Sequence, residues 1–520
     1  MKRKLLSVLV AGALASLGAT SQAAQGPSSS ATPYVTPTAA GWDVTSIITV
    51  GDAAANGYKM VGIPDGLGAY DNGNGTFTVL MNHELGANAG IARAHGATGA
   101  FVSEWVIMKS DFRVLSGNDL ATTHNVWDSV TNSYSTAVGS ANSFARLCSA
   151  DLPAVSAFYN ASANVGTQSR IFMNGEENGN PGRAYAFVAT GAAKGNAYEL
   201  PKLGKFSWEN SVANPYSGTK TIVIGLDDST PGQVYIYQGT KINSGLDIDK
   251  AGLTNGTLAG VKVNVANAQG GASGNLEQGQ INGAFTTVTV NTTVDGNAQQ
   301  NNSRTSGITE FARPEDGAWA DAKNFYFVTT GADPDAGGPV VTQTSRLYKL
   351  TFADGVGGAI DYGNGTISMV KDSATLVGTD GAKAQKFDNM TVGENGVIII
   401  QEDPGGVPYI AKTWKFDPAS GAWTQIMESD RGRFLTPTAP FSQDEESSGV
   451  IEITSILGRN DGKRYYLGDM QAHYPLGGEL VEGGQLYVMS VPEPETYAML
   501  LAGLGLMGAI ARRRNSNKKL

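Results

Sequence analysis

Short apolar runs broken by glycine-rich turns limit what this chain can fold into. From Trp42 onward, segments such as Ser46–Val50, Phe77–Met81, Phe101–Met108, Tyr185–Val188, Thr221–Ile224, Gln233–Tyr237, Val397–Gln401 and Gln485–Val488 are rich in β-branched and aromatic residues. Glycine supplies 67 of the 520 residues and recurs between these runs, as expected of a chain that turns often. Asp71-Asn72-Gly73-Asn74-Gly75, Asn364-Gly365 and Asn395-Gly396 read as hairpin turns. No stretch has the length and 3.6-residue period of a long amphipathic helix. The reading is all-β: one β-propeller over residues 41–490 with long loop insertions, favoured over a sandwich by the number of strands. Asn255–Ser303, rich in Gly, Asn, Gln and Thr, reads as a long insertion or blade edge. Residues 24–40, rich in Ser, Thr, Pro and Ala, read as a flexible lead-in.

Both ends carry their own signals. Lys2-Arg3-Lys4, an apolar run from Leu5 to Leu17, and Ser21-Gln22-Ala23 form a secretory signal peptide over residues 1–23. The run is shorter than the ~20 residues a membrane span needs. At the other end, Val491-Pro492-Glu493-Pro494-Glu495-Thr496 precedes an apolar run from Tyr497 to Ala511, closed by Arg512-Arg513-Arg514. Residues 491–520 resemble the PEP-CTERM sorting signal of Gram-negative bacteria. That resemblance implies transient membrane association through the C-terminal helix, processing by signal peptidase and an exosortase, and delivery to the cell surface or extracellular matrix. A plain tail anchor is the alternative.

The charge confirms part of this division. Formal net charge is −10. Setting aside eight basic residues of the two ends, with Glu493 and Glu495, leaves 29 bases against 45 acids, a body charge of −16. Such a body excludes nucleic acid as a partner, since a phosphate backbone needs a Lys/Arg footprint. It suits bound cations. Cys148 is the sole cysteine, so no intrachain disulfide exists.

Polar clusters sit at the ends of the strand-like runs: Asn82-His83-Glu84, Arg146-Leu147-Cys148-Ser149, Asn174-Gly175-Glu176-Glu177, Asp388-Asn389, Gln401-Glu402-Asp403, Asp444-Glu445-Glu446 and Asp469-Met470-Gln471-Ala472-His473. Carboxylates with Asn are what Ca²⁺ prefers; a thiolate and an imidazole widen the range toward iron or zinc. Adjacent Glu176 and Glu177 point to opposite faces of a strand, so one suffices as a ligand. Thr309–Trp319 packs Glu310, Arg313, Glu315 and Asp316 into one turn, where Pro314 biases Arg313 toward extended backbone. A fork-shaped cation beside carboxylates suits a phosphate held on metal ions. Recurrence carries this reading, because in a closed ring several acidic strand ends are expected to converge at one mouth.

In order and rough spacing, Asn82-His83-Glu84, Cys148, Gly175-Glu176-Glu177, Arg313-Pro314-Glu315 and Asp388-Asn389 resemble PhoX-type alkaline phosphatases, over most of residues 60–480. The resemblance implies a secreted six-bladed propeller with an iron pair and calcium ions at its mouth, acting on small phosphate esters. It implies Cys148, Glu84, Glu176, Glu177, Glu315 and Asp403 as metal-site residues and Arg313 as the phosphate-binding arginine, and it places Asn82 and His83 in the catalytic machinery. Two alternatives remain open on the residues alone: a calcium-stabilised propeller acting as a non-catalytic surface or matrix binding protein, and a calcium-dependent ester or lactone hydrolase.

Overall fold

The computed structural model describes residues 21–263, 277, 281–331, 344–405, 409–435, 441 and 444–493. Six antiparallel blades surround a central axis. Blade 1 is a meander over Pro64–Asp71, Thr76–His83, Phe101–Met108 and Val114–Asp119. Blade 2 begins on residues 147–151, which bridge to the second strand, Ile171–Gly175, through Leu147–Glu176 and Asp151–Met173. It continues through Ala184–Val188 and Asn196–Glu199, and a hairpin over Thr123–Asp128 and Ser133–Thr136 extends its outer edge. Blades 3 (Trp208–Ala213, Lys220–Asp227, Val234–Thr240, Thr257–Val263) and 4 (Pro314–Trp319, Asn324–Thr329, Arg346–Asp354, Ile360–Asp372) are fused into one nine-stranded sheet by Gly283–Thr289, which pairs with the outer strand of each. Blade 5 runs from Phe387–Val392 through Ile398–Glu402 and Lys412–Asp417 to Ala422–Ser429. Blade 6 comprises Glu446–Glu452, Lys463–Gly477 and Val481–Pro492.

An N-terminal strand closes the ring. Asp43–Thr49 pairs antiparallel with Val481–Pro492 and so completes the last blade with the start of the chain. Closure of this kind leaves no open gap in the propeller. The expected flexible lead-in over residues 24–40 is corrected by the same region. Ala23–Gln25 adds parallel to Asp43–Thr49, and Val35–Pro37 pairs with the outer strand of blade 5. Tyr34 is buried against Phe434 and Phe441, with Arg433 over its ring. A polar composition with one buried aromatic anchor and a free sheet edge to pair with is enough to order the segment.

Hydrophobic layers between neighbouring blades hold the ring. Each strand offers alternate residues to the layers on its two sides. In Ile398–Glu402 of blade 5, Ile398 and Ile400 pack toward blade 4 with Val328 and Trp414, while Ile399 packs toward blade 6 with Tyr466 and Tyr487. Equivalent layers lie between blades 6 and 1 (Leu67, Trp105, Leu467), 1 and 2 (Leu80, Phe172, Tyr185), 2 and 3 (Met173, Trp208, Tyr235), and 3 and 4 (Ile224, Phe325, Tyr348). Each such fully buried large side chain contributes about 1.5–3 kcal/mol of hydrophobic stabilisation.

Turn signals were uneven guides. Residues 72–75 and Asn395-Gly396 do connect the first two strands of blades 1 and 5. Asn364-Gly365, however, lies inside the strand Ile360–Asp372. There glycine serves close approach, since a Cβ would come within 2.3 Å of the Thr351 carbonyl oxygen. The Asn255–Ser303 stretch contributes the outer strand of blade 3, the fusing strand and the start of the helix Gly296–Thr305. Residues 1–20 of the expected signal peptide and 494–520 of the sorting signal lie outside the described residues. Among the described residues no helix is long and apolar enough to cross a membrane.

Candidate metal centre

One local geometry is repeated around the ring. In five blades the residue just before the inner strand accepts a backbone hydrogen bond from the residue just after the second strand. The acceptor–donor pairs are Ile63–Glu84, Arg146–Glu177, Ser207–Asp228, Arg313–Thr330 and Lys386–Asp403, at 2.8 to 3.0 Å. Four of the acceptors, Ile63, Arg146, Arg313 and Lys386, have φ between 45° and 58°. Non-glycine residues in this region cost about 1–3 kcal/mol each, and such strain collects at functional sites. Immediately inside the turn, the ladder slips by a bulge at Asp65-Gly66, at Glu209, at Glu315-Asp316 and at Asp388-Asn389; in blade 6 it slips at Gly449. A bulge re-aims a side chain that regular pleating would alternate away. Asp65, Glu209, Glu315 and Asp388 thus stand at corresponding places on four inner strands, and Cys148 likewise lies two residues past its turn residue Arg146; Glu446 opens the inner strand of blade 6. Glu84, Glu177, Asp228 and Asp403 join them from the second strands.

These ten residues, nine carboxylates and one thiol, form four groups whose ligand atoms lie within 4.8 Å of one another. Asp65, Glu84 and Cys148 make the first; Cys148, Glu177 and Glu209 the second; Glu209, Asp228 and Glu315 the third. Shared members link these three into an arc across blades 1 to 4. Asp388, Asp403 and Glu446 form a separate group on blades 5 and 6. Across the axis, Asn389 donates to Ser149 Oγ, which donates to Glu209 Oε1, each at 2.5 Å, so three blades are tied beneath the arc.

Crowded acids in a buried place resist ionisation. Burial first, then neighbouring carboxylates, pushes Asp65 and Asp388 well above the usual carboxylate range; Glu177 and Glu315 rise too, although Arg146 and Arg313 oppose it. The same causes raise Glu209 to about 8 and Asp403 to about 7, with Arg313 and Lys386 working against the rise at Asp403. Burial, with Asp65 and Glu209, pushes the Cys148 thiol up, and it donates to Asp65 Oδ2 at 3.3 Å. Asp228 and Glu446 go the other way. Burial works to raise both, but Arg313 outweighs it at Asp228 and His473 outweighs it at Glu446. His473 is itself raised to about 11: burial would lower it, and the carboxylates of Glu446, at 3.8 Å, and Glu482, at 2.7 Å, prevail.

Arg313 departs from the expected extended backbone, with φ at 58° ahead of Pro314. Several bonds hold the turn there. Arg313 N–H donates to Ser229 O at 3.1 Å and its carbonyl accepts from Thr330. Ala312 N–H donates to the fully buried Glu277, which also accepts from Thr329 and Tyr348. So fixed, Arg313 donates through Nε and Nη2 to the two oxygens of Asp228, at 2.7 and 2.8 Å, and lies 3.1 Å from Glu315 Oε1. Thr330 donates to Glu315 in turn.

Of the residues singled out in the sequence, Glu84, Cys148, Glu177, Arg313, Glu315 and Asp403 come together here. Two are placed elsewhere, for the same reason. His83 and Glu176 precede Glu84 and Glu177 by one residue, so strand alternation turns them away from the axis. His83 stacks on Phe101 at 4.2 Å, with its ring nitrogens on Gly62 O and Ser103 Oγ, and burial lowers it to about 3. It stays neutral and has no free nitrogen to move a proton. Glu176 takes a bidentate pair from Arg183 at 2.7 and 2.8 Å. Asn82 reaches inward, donating to Cys148 O at 2.6 Å. Asp65, Glu209 and Asp228 were missed. The parallel between Pro64-Asp65-Gly66 and Pro314-Glu315-Asp316-Gly317 could have revealed the first; Trp208-Glu209-Asn210 carries no such mark.

The donor set fits bound cations. Nine buried or half-buried carboxylates face Arg146, Arg313, Lys386 and His473, a balance that ion pairing inside the protein cannot meet. Asn82 Oδ1 and Asn389 Oδ1, both fully enclosed beside the ring, have no hydrogen-bond partner among the described residues.

Comparison with known proteins gives the fold and one end of the chain. No curated protein matches the sequence. Among solved structures, Pseudomonas fluorescens PhoX in complex with vanadate, a transition state analogue, aligns at TM-score 0.57 and 11% identity, over 90% of this chain and 97% of that one. The WD40 domain of SCAP from fission yeast (TM-score 0.25, 9% identity, 83% and 96% of the two chains) and a Synechocystis apocarotenoid oxygenase mutant (0.28, 9%, 79% and 86%) align too loosely to carry weight. Residues 490–515 match the PEP-CTERM protein-sorting motif. The chain is a β-propeller with the fold of PhoX, and it ends in a PEP-CTERM protein-sorting motif.

Proposed function

We propose that the protein is an exported, metal-dependent phosphatase that hydrolyses phosphate monoesters at the ring of carboxylates. The observation that carries this reading is the arc of three donor groups sharing Cys148 and Glu209, with the Arg313 guanidinium against its end. Donor chemistry divides the metals. The two groups containing the thiol suit iron, and the all-oxygen groups suit calcium. Bound there, such cations supply Lewis-acid stabilisation of phosphoryl oxygens and activation of water.

The chain's own residues do the rest. Arg313, held by Asp228 and Glu315, presents a fixed cation where negative charge grows on the phosphoryl group, without reorganising as the reaction proceeds. Thr330 and the Glu277 latch keep that turn in place. The Asn389–Ser149–Glu209 chain holds Glu209 at the point where two donor groups meet. PEP-CTERM processing by an exosortase would deliver the enzyme to the surface of a Gram-negative cell, after removal of the tail; intact mass after export in the native host should show loss at both ends. Turnover of a chromogenic phosphate monoester by protein purified without chelators tests the reading. Rapid turnover that vanishes on chelation supports it; a fully metallated protein with no turnover leaves the non-catalytic binding protein in its place.

A further inference from the structure

Arg146 occupies in blade 2 the place that Arg313 occupies in blade 4. Both precede the inner strand, both have left-handed φ (45° and 58°), and both accept through their carbonyls from a residue just past the second strand. Their side chains repeat the likeness. Arg313 spans Asp228 and Glu315; Arg146 spans Glu84, at 2.6 Å, and Glu177. Glu177 and Asp228 each group with Glu209, so the two assemblies meet on the arc. In both guanidiniums Nε and Nη2 take up these contacts, and Nη1 has no partner among the described residues. Arg146 is the more open of the two, its side chain 49% exposed against 28%.

We propose that Arg146 is a second substrate-binding arginine, which with Arg313 grips the phosphoryl dianion from the two sides of the Glu177–Asp228 pair. This deepens the phosphatase reading and rests on it. A guanidinium that merely neutralised Glu84 and Glu177 would gain from burial and from using all its donors; a half-exposed one with an uncommitted Nη1, on the same kind of turn as Arg313, is set up to take an incoming oxyanion. Two such cations also select for charge. A monoester presents a dianion to them and a diester only a monoanion, so Arg146 assigns the site to terminal phosphates.

Arg146→Gln, Arg146→Lys and the wild type decide this, each assayed for metal content, for kcat and KM on one monoester and one diester, and for calorimetric affinity toward inorganic phosphate. Arg146→Gln should raise the monoester KM about 10- to 100-fold and weaken phosphate binding by the same factor, as loss of a charged hydrogen bond does. Metal content should stay near that of the wild type, diester turnover should change less, and Arg146→Lys should recover part of the loss. Unchanged KM and phosphate affinity would overturn the proposal, as would metal lost in proportion to activity, which marks a clamp on Glu84 and Glu177. A wild type that neither binds phosphate nor turns over the monoester would fell the phosphatase reading itself, and this proposal with it.

Discussion

The ring has two unlike parts. Across blades 1 to 4, three donor groups overlap through Cys148 and Glu209 and are flanked by Arg146 and Arg313. On blades 5 and 6, Asp388, Asp403 and Glu446 form one all-oxygen group, with His473 as its neighbouring cation, 3.8 Å from Glu446. The backbone turn recurs in both parts, since Lys386 of blade 5 repeats the left-handed φ of Arg146 and Arg313. One repeated scaffold thus supports a thiol-bearing, arginine-flanked arc suited to catalysis and an oxygen-only site suited to a structural calcium ion.

Cys148→Ser should separate the parts most sharply. A hydroxyl is a harder and far less acidic ligand than a thiol, so the arc should lose iron and most activity while calcium is retained. Elemental analysis beside a phosphatase assay checks it; full activity in the serine variant would remove the thiol from the site. Arg313→Ala comes next, with turnover falling ~100- to 1000-fold and metal content near normal. Asp388→Asn, in the other part, should cost calcium and thermal stability first, with activity reduced only as far as the fold loosens; a larger activity loss than that of Arg313→Ala would erase the distinction.

The titration of the metal-free ring gives a smaller effect of definite sign. Glu209 and Asp403 have folded values of about 8 and 7, above their ordinary 4.5 and 3.8. A group raised in the folded state adds stability that is fully present below its unfolded value and is lost as pH rises through the folded one. The melting temperature of chelated protein should therefore rise as pH falls from about 8 toward 5. With calcium and iron present the trend should weaken or reverse, because protons then compete with metal. The least effect on function is expected at His83: His83→Ala should cost about 1–3 kcal/mol of stability, read by denaturant unfolding, and leave turnover unchanged.

How much of this the sequence disclosed depends on what each residue answers to. Strand runs such as Phe101–Met108 were legible because hydrophobic patterning follows local pleating. Glu84, Glu177 and Asp403 were legible as acids closing such runs. Asp65 and Glu209 were hidden because bulges, set by tertiary pairing, turn them inward. Asp228 was hidden because its neighbour Asp227 carries the same charge, and only the end of the strand separates them. His83 misled because residue type alone does not say which face a strand turns to the axis. The left-handed Arg313 ran against the ordinary effect of a following proline, and bonds from Glu277 and Thr330, distant in sequence, account for it.

Metal content and monoester turnover, measured on one preparation of the exported protein before chelation, after it, and after re-addition of iron and calcium, test the central claim most directly. The ring described here predicts both metals in the untreated protein, loss of turnover with their removal, and recovery only when both are restored. Undiminished turnover in metal-free protein would contradict it.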